Sequence, residues 1–455
     1  MCEWSTTIAA ISTPPGKGGV AVIRLSGSEA LTIAERVFRP RGKRTLREAP
    51  RIALYGDFLE NGKAIDDGLA LSFPAPSSYT GEDTVEFSCH GGVLITRTVL
   101  EALFVAGAVP AAPGEFTRRA YLSGKLGLTE AEAIASLLDA RSMAQVQMAA
   151  ARGLLSEGLD KAFREGLSLV SAAEAVIDFP DEDLSELSPE EFEARLSTLY
   201  QKIKSLADTY RTGRAISEGV RATIVGRPNV GKSSLYNLLL GEEAAIVSEY
   251  EGTTRDILKK TVPVGRVLLR LSDTAGLRKT EDPVERIGVE RARSAMRDAD
   301  LLLLVFDASH PLSEEERELL REDDGGALRI AVLNKCDLKE VIEADEIERH
   351  VKHIVRLSAK AGEIAPLASL IEALFTDGEL RIGEAPIVAS ARQYASLCRA
   401  ADALLSALNG HRDGSPTDMV LFELTEALKA LGEVDGRTVN EAVVQEIFSH
   451  FCVGK

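Results

Sequence analysis

The chain is poor in the features that staple a fold or anchor it to a membrane. Its five cysteines, Cys2, Cys89, Cys336, Cys398 and Cys452, are odd in number and scattered, and no two are spaced as CxxC. That argues against a disulfide framework and against a zinc knuckle. No run approaches the ~20 consecutive apolar residues of a membrane-spanning helix. Residues 1–11 carry no basic segment, and Pro14-Pro15-Gly16 breaks the chain soon after, so no secretory signal is expected. The expected location is a reducing cytoplasm, in a bacterium or an organelle derived from one. Positive charge is also short: 53 Lys and Arg stand against 70 Asp and Glu, a net charge of -17. A nucleic-acid partner therefore needs a local patch instead of the average field. Arg39, Arg41, Lys43, Arg44, Arg47 and the pair Arg118-Arg119 are candidates, and each reads equally well as solvated surface charge.

What is present is enough apolar residue for a large core (45% of the chain) and a length of 455 residues that suggests about three domains. Residues 1–120 read as a β-rich α+β domain, with strands expected at Val20–Leu25, Ala70–Phe73 and Thr84–Ser88 and a helix over 91–106. From Thr129, which forms a capping-box pattern with Glu132, helical spacing runs to about residue 212. Residues 181–191 are acidic and are expected on a loop and helix start. Residues 216–378 alternate apolar runs (222–225, 267–271, 301–306, 330–333 and 354–357) with helical segments, the pattern of a doubly wound, mostly parallel sheet. Helical spacing then returns: Val420, Leu421, Leu424, Leu428 and Leu431 share a stripe, and Thr438 with Glu441 makes a second capping box. The expected organisation is a multidomain α/β protein: residues 1–120, an all-α domain formed by 121–215 and 379–455, and a domain of residues 216–378 inserted between the helical parts, since insertions are tolerated at exposed loops. An independent helical bundle at the end of the chain is the alternative.

The inserted segment carries the chemistry. Gly226-Arg227-Pro228-Asn229-Val230-Gly231-Lys232-Ser233 fits GxxxxGK[ST] between an expected strand and helix, the context a P-loop requires. Backbone N–H groups of Asn229, Val230, Gly231, Lys232, Ser233 and Ser234 are expected to cradle phosphates at a helix N-terminus. Lys232 is expected to reach the terminal phosphates and Ser233 to ligate Mg²⁺. Asn334-Lys335-Cys336-Asp337 selects the base: a carboxylate at Asp337 accepts two hydrogen bonds that guanine offers and adenine does not. Ser358-Ala359-Lys360 is placed to meet the guanine carbonyl. Asp273 and Gly276 of Asp273-Thr274-Ala275-Gly276 are expected at Mg²⁺ and the γ-phosphate, and Thr254 of Gly252-Thr253-Thr254-Arg255-Asp256 as a second Mg²⁺ ligand. Where many GTPases hold a water-orienting glutamine after that glycine, this chain has Leu277, which cannot hydrogen-bond. Glu285 is the candidate replacement, and an ordinary helix charge is the plainer reading.

Taken together with marks outside the GTPase motifs, the chain resembles the MnmE (TrmE) family of tRNA-modification GTPases from end to end. Those marks are Thr13-Pro14-Pro15-Gly16-Lys17-Gly18-Gly19-Val20, Ser78-Tyr79-Thr80-Gly81-Glu82-Asp83 with His90-Gly91-Gly92, Pro113-Gly114-Glu115-Phe116-Thr117-Arg118-Arg119-Ala120, and the final Phe451-Cys452-Val453-Gly454-Lys455. The resemblance implies an N-terminal domain that dimerises and binds a tetrahydrofolate (methylene- or formyl-), with Arg24, Glu82 and Lys455 as matching contacts and Lys125, near Tyr121, as a further one. It implies a homodimer that works with the flavoprotein MnmG (GidA) in a heterotetramer or larger complex, on tRNA and away from any membrane. The product is an aminomethyl or carboxymethylaminomethyl group at the 5-position of the wobble uridine. It implies K⁺-activated GTP hydrolysis, with Asn229, Ser248, Tyr250 and Thr253 around the ion, Ser248, Thr253 and Thr254 near the nucleotide, Arg255, Asp256 and Arg278 at switch positions, and Glu285 as the catalytic glutamate. Cys452 reads as a thiolate nucleophile or, more plainly, as a packed thiol; His90 reads as an acid or base, or as a turn residue. A regulatory GTPase switch, in ribosome assembly or membrane traffic, and a folate-dependent aminomethyltransferase with incidental GTPase activity are the competing functions.

Overall fold

The computed structural model describes residues 6–178, 188–241, 260–272, 296, 298–322, 326–376, 382–439, 441–449 and 451–455. The chain divides into two compact units. Unit 1 comprises Met1–Leu138, Leu159–Phe163 and Leu428–Lys455; unit 2 comprises Asp139–Gly158 and Arg164–Ala427.

Unit 1 is built on seven strands: β1 (Ile8–Ile11), β2 (Val20–Ser26), β3 (Phe38–Pro40), β4 (Leu54–Glu60), β5 (Lys63–Phe73), β6 (Thr84–His90) and β7 (Val109–Pro110). Their order is β3-β4-β5-β6-β2-β1-β7, antiparallel throughout except for the parallel β1–β7 pair. Side chains alternate across a strand, so Ile23 and Leu25 of β2 and Val85 and Phe87 of β6 face one core. Helices α1 (Ala30–Val37) and α2 (Val93–Val105) cover that face. Phe58 centres it, with ring centroids 5.2 Å from Phe38 and 5.7 Å from Phe87. A second cluster joins α3 (Glu115–Leu122) and α4 (Leu128–Leu138) to the helix Glu441–Ser449 through Tyr121, Leu128, Ala131, Val444, Phe448 and Phe451.

Both capping boxes expected here are corrected. Helix α4 begins at Leu128, and the Glu130 carboxylate accepts from the Gly127 N–H at 2.9 Å, so Thr129 lies inside the first turn. Its hydroxyl is buried without a hydrogen-bond partner among the described residues. Thr438 donates its hydroxyl to the Lys429 carbonyl at 3.1 Å.

Further along the chain come α5 (Met143–Ala150), α6 (Arg152–Asp178), α7 (Pro189–Asp208) and α8 (Tyr210–Ser217). Ser188 and Glu191 form a capping box at the start of α7, so the acidic segment does end in a helix start. Phe192, Leu196, Leu199 and Ile203 make a buried stripe along α7 that packs on the helix Ala391–Arg412.

The second sheet has strands β8 (Val220–Val225), β9 (Lys260–Val264), β10 (Val267–Ser272), β11 (Leu301–Asp307), β12 (Leu328–Asn334) and β13 (His353–Arg356), in the order β13-β12-β11-β8-β10-β9. All pairs are parallel except β9–β10. Strand β11 shows why it reads as an unbroken apolar run: Leu301, Leu303 and Val305 enter one core with α9 (Lys232–Leu240) and the helix Ala365–Phe375. Leu302, Leu304 and Phe306 enter another, with Leu320 and Ile347 of the helices Glu314–Arg321 and Ala344–Glu348. A strand buried on both faces has no polar alternation to show.

Candidate functional site

In unit 2 the strand ends place three loops side by side. Strand β8 runs into residues 226–231, and α9 begins at Lys232 with Gly231 at its N-cap, φ +102°. That left-handed backbone favours glycine, and a Cβ there would also collide with the Asn334 side-chain amide. Asn334 ends β12 and is buried. Its Nδ2 donates to the Val230 carbonyl at 2.9 Å, and its Oδ1 accepts from the Ala359 N–H at 3.0 Å. One amide side chain thus ties the phosphate loop to both base-side loops. Asn334→Ala leaves a buried carbonyl and a buried N–H unpaired, about 1–3 kcal/mol each. We expect the variant to lose about 2–6 kcal/mol of stability, read as a lower urea midpoint for the second sheet's unfolding, together with weakened nucleotide binding. An unchanged midpoint would show that Asn334 does not join the loops.

Asp337 is exposed beyond β12, where its carboxylate accepts from the Ser358 hydroxyl at 2.6 Å. That hydrogen bond holds the acid below its ordinary pKa, with help from the Lys360 and Lys335 charges. Asp337 is therefore an ionised acceptor at neutral pH, as base reading requires. Lys232 donates to the Gly226 and Arg227 carbonyls at 2.7 and 2.6 Å, and burial lowers its pKa. Asn229, with φ +66°, and Ser233 and Ser234 are placed at the loop tip and first helical turn. Lys335 pairs with Asp307, the last residue of β11, at 2.6 Å. Burial works against ionisation of Asp307, but hydrogen bonds from Lys335 and Ser309 outweigh it and bring its pKa to about 2. The arrangement can hold an anionic phosphate chain at a helix start and present a carboxylate to a purine some distance away. Ser248, Tyr250, Thr253, Thr254, Arg255, Asp256, Asp273, Gly276, Leu277, Arg278 and Glu285 lie outside the described residues.

Unit 1 gathers a second set. Arg24 lies directly opposite Glu86 in the β2–β6 register and pairs with it at 2.8 Å. Its guanidinium lies 5.2 Å from the Tyr79 ring centroid and 5.6 Å from that of Phe116. Glu82 accepts from the Ser26 hydroxyl at 2.9 Å and from Arg119 at 3.1 Å. Arg119 is 1% exposed and also pairs with Glu115 at 2.8 Å. The last residues of the chain return here: the Ser12 hydroxyl donates to the Gly454 carbonyl at 3.0 Å, and the Phe116 N–H to the Lys455 carbonyl at 3.2 Å. Gly454 has φ +94°, and a Cβ there would collide with the Ile11 carbonyl. Arg24 and the Lys455 backbone thus meet around Phe116. Tyr121 donates to the Gly436 carbonyl at 2.8 Å and Lys125 to the Pro76 carbonyl at 2.7 Å.

Several expectations need correction. Cys452 is exposed, not packed. His90 ends β6, exposed, and pairs with Asp66 at 2.6 Å. Four arginines of the candidate RNA patches are engaged in ion pairs: Arg41 with Asp57 at 2.6 Å, Arg47 with Glu35 at 3.2 Å, Arg118 with Glu441 at 3.2 Å and Arg119 with Glu82 and Glu115. Sequence reasoning missed Arg119 as the partner of Glu82, and Asp307 altogether. The only signal for Asp307 was its place ending an apolar run.

The chain is similar to known proteins along its length. A family model described as the MnmE helical domain matches residues 128–452, and one described as the GTP-binding protein TrmE N-terminus matches residues 7–125. Among curated proteins, the tRNA modification GTPase MnmE of Natranaerobius thermophilus is 40% identical, with 99% of each chain covered. That of Symbiobacterium thermophilum is 41% identical, again with 99% of each covered. That of Enterococcus faecalis is 39% identical over 99% of this chain and 98% of its own.

Proposed function

The chain belongs to the MnmE (TrmE) family of tRNA modification GTPases, and on that premise we propose a specific role for each unit. It binds and hydrolyses GTP in the inserted domain of residues 216–378, and it acts on tRNA as a cytoplasmic homodimer with the flavoprotein MnmG. The pair adds an aminomethyl or carboxymethylaminomethyl group at the 5-position of the wobble uridine. The observation that carries the GTP reading is Asn334, which binds the phosphate loop to the loops holding Asp337 and Ser358. Lys232 neutralises phosphate charge, and Asp337 accepts from the base. Among the described residues, Ser233 suits Mg²⁺ and Asn229 suits K⁺, as oxygen donors for hard cations. A K⁺ ion there would supply positive charge toward the phosphates, the service an arginine finger renders for roughly 10³–10⁵ in rate.

The unit 1 residues fit a tetrahydrofolate. Glu82, fixed between Ser26 and buried Arg119, would accept from the amidine-like edge of a pterin, and Arg24 and Lys455 would meet its glutamate tail. The bound folate would supply the one-carbon unit. Two measurements test the proposal. GTP turnover should rise at least about tenfold when K⁺ replaces Na⁺; equal rates would remove K⁺ from the site. Cells lacking the protein should lose the 5-substituted wobble uridine from tRNA. Unaltered nucleosides there would favour the regulatory-switch reading.

A further inference from the structure

We propose that Asp307 is a positioning residue for guanine recognition: it holds the Lys335 ammonium away from Asp337 and so keeps the Asp337 carboxylate available to the base. The inference rests on the GTP-binding reading of this site. Lys335 lies two residues before Asp337 and has φ +65°. A lysine so placed is itself a donor that a neighbouring carboxylate would take, and every such bond competes with guanine. The structure gives it another partner. The Lys335 ammonium sits 2.6 Å from Oδ2 of Asp307, whose side chain is 12% exposed.

Asp307 is fixed for that task from several directions. In the β11–β12 register it stands opposite Asn334. The next residue, Ala308, donates its N–H to the Asn334 carbonyl at 2.9 Å. The Ala308 carbonyl in turn accepts from the Val341 N–H at 2.8 Å and the Ile342 N–H at 3.2 Å. On the carboxylate, Oδ1 accepts from the Ser309 N–H at 3.0 Å and the Ser309 hydroxyl at 2.6 Å, and Oδ2 lies 3.3 Å from Nδ1 of His310. The strand end that locks Asn334 into the phosphate loop therefore also sets where the next side chain can go. Burial favours this pairing, because an ion pair turned from water is screened less than the exposed Asp337 alternative.

The test is a double-mutant cycle read by GDP and GTP affinity and by steady-state hydrolysis. Asp307→Asn keeps an oxygen for Ser309 and removes the charge. It is expected to raise Kd and KM for guanine nucleotides about tenfold while kcat stays within about twofold, since Asp307 pairs with Lys335 on the base side and not with Lys232. In a Lys335→Met background the same change should alter Kd by less than about twofold, because the competing donor is gone. Asp307→Glu retains the charge, serves as the second variant should the amide unfold the domain, and is expected within about threefold of the parent Kd. Equal losses with and without Lys335, a fall in kcat without a rise in KM, or Glu weakening binding as much as Asn would each overturn the positioning role. A parent protein that binds guanine and adenine nucleotides alike would instead overturn the reading on which the inference rests.

Discussion

Asp337→Asn is expected to weaken GTP binding by at least roughly a hundredfold and to admit xanthosine triphosphate in its place. The carboxylate is an acceptor only, and it meets a base edge that presents two donors. An amide puts a donor where an acceptor is needed, so one bond is lost and two N–H groups are set against each other. Xanthine replaces one guanine donor with a carbonyl, which restores a match to the amide. The structure supports an intact pocket in this variant, because the Ser358 hydroxyl that donates to Asp337 at 2.6 Å retains an oxygen acceptor in asparagine. Competition binding with GTP, ATP and xanthosine triphosphate measures the outcome. An Asp337→Asn protein that keeps its preference for guanosine would take Asp337 out of the base pocket.

Lys232→Ala is expected to lower the turnover of GTP by roughly 10²–10³, the effect of removing one preorganised donor from a developing charge. Lys232 opens α9, and its ammonium already lies against the Gly226 and Arg227 carbonyls. It is thus held over the loop before any phosphate arrives, and little side-chain freedom remains to be lost on binding. Burial lowers its pKa; an approaching phosphate would favour the charged form again. Arginine at this position carries the charge but not the compact shape, and Lys232→Arg is expected to stay well below the parent. Single-turnover hydrolysis at saturating GTP separates the chemical step from binding. Turnover of the alanine variant within about threefold of the parent would exclude Lys232 from the chemistry.

How much of this was legible in the sequence depends on whether the cause was local. Strands β11 and β12 were readable because both faces are buried and the apolar runs are unbroken, and β8 and β10 because one face enters the core in full. The loop of residues 226–231 and the Asn334–Asp337 segment were readable because backbone turns and hydrogen-bonding groups there are set by consecutive residues. Strand β9 was missed: it is short, carries Pro263 and lies at the sheet edge, where proline is tolerated. Thr129 was misread because the Glu130 carboxylate reached the Gly127 N–H first, moving the helix start two residues back. Arg119 was read as surface charge because nothing near it in sequence reveals the Glu82 carboxylate, 37 positions away. Cys452 was expected to pack, yet Phe448 and Phe451 supply the buried groups at that end of the chain. Each miss involves a partner that only the assembled fold brings near.

The hydrogen bond from Ser12 to Gly454 spans 442 positions. A ribosome adds ~5–20 residues each second, so Ser12 is synthesised roughly 20–90 s before the carbonyl it will meet. During that interval the end of β1 and the start of α3 stand without the backbone of residues 454 and 455 that they will hydrogen-bond. A message broken before the codon for Gly454 would therefore damage a segment translated among the first.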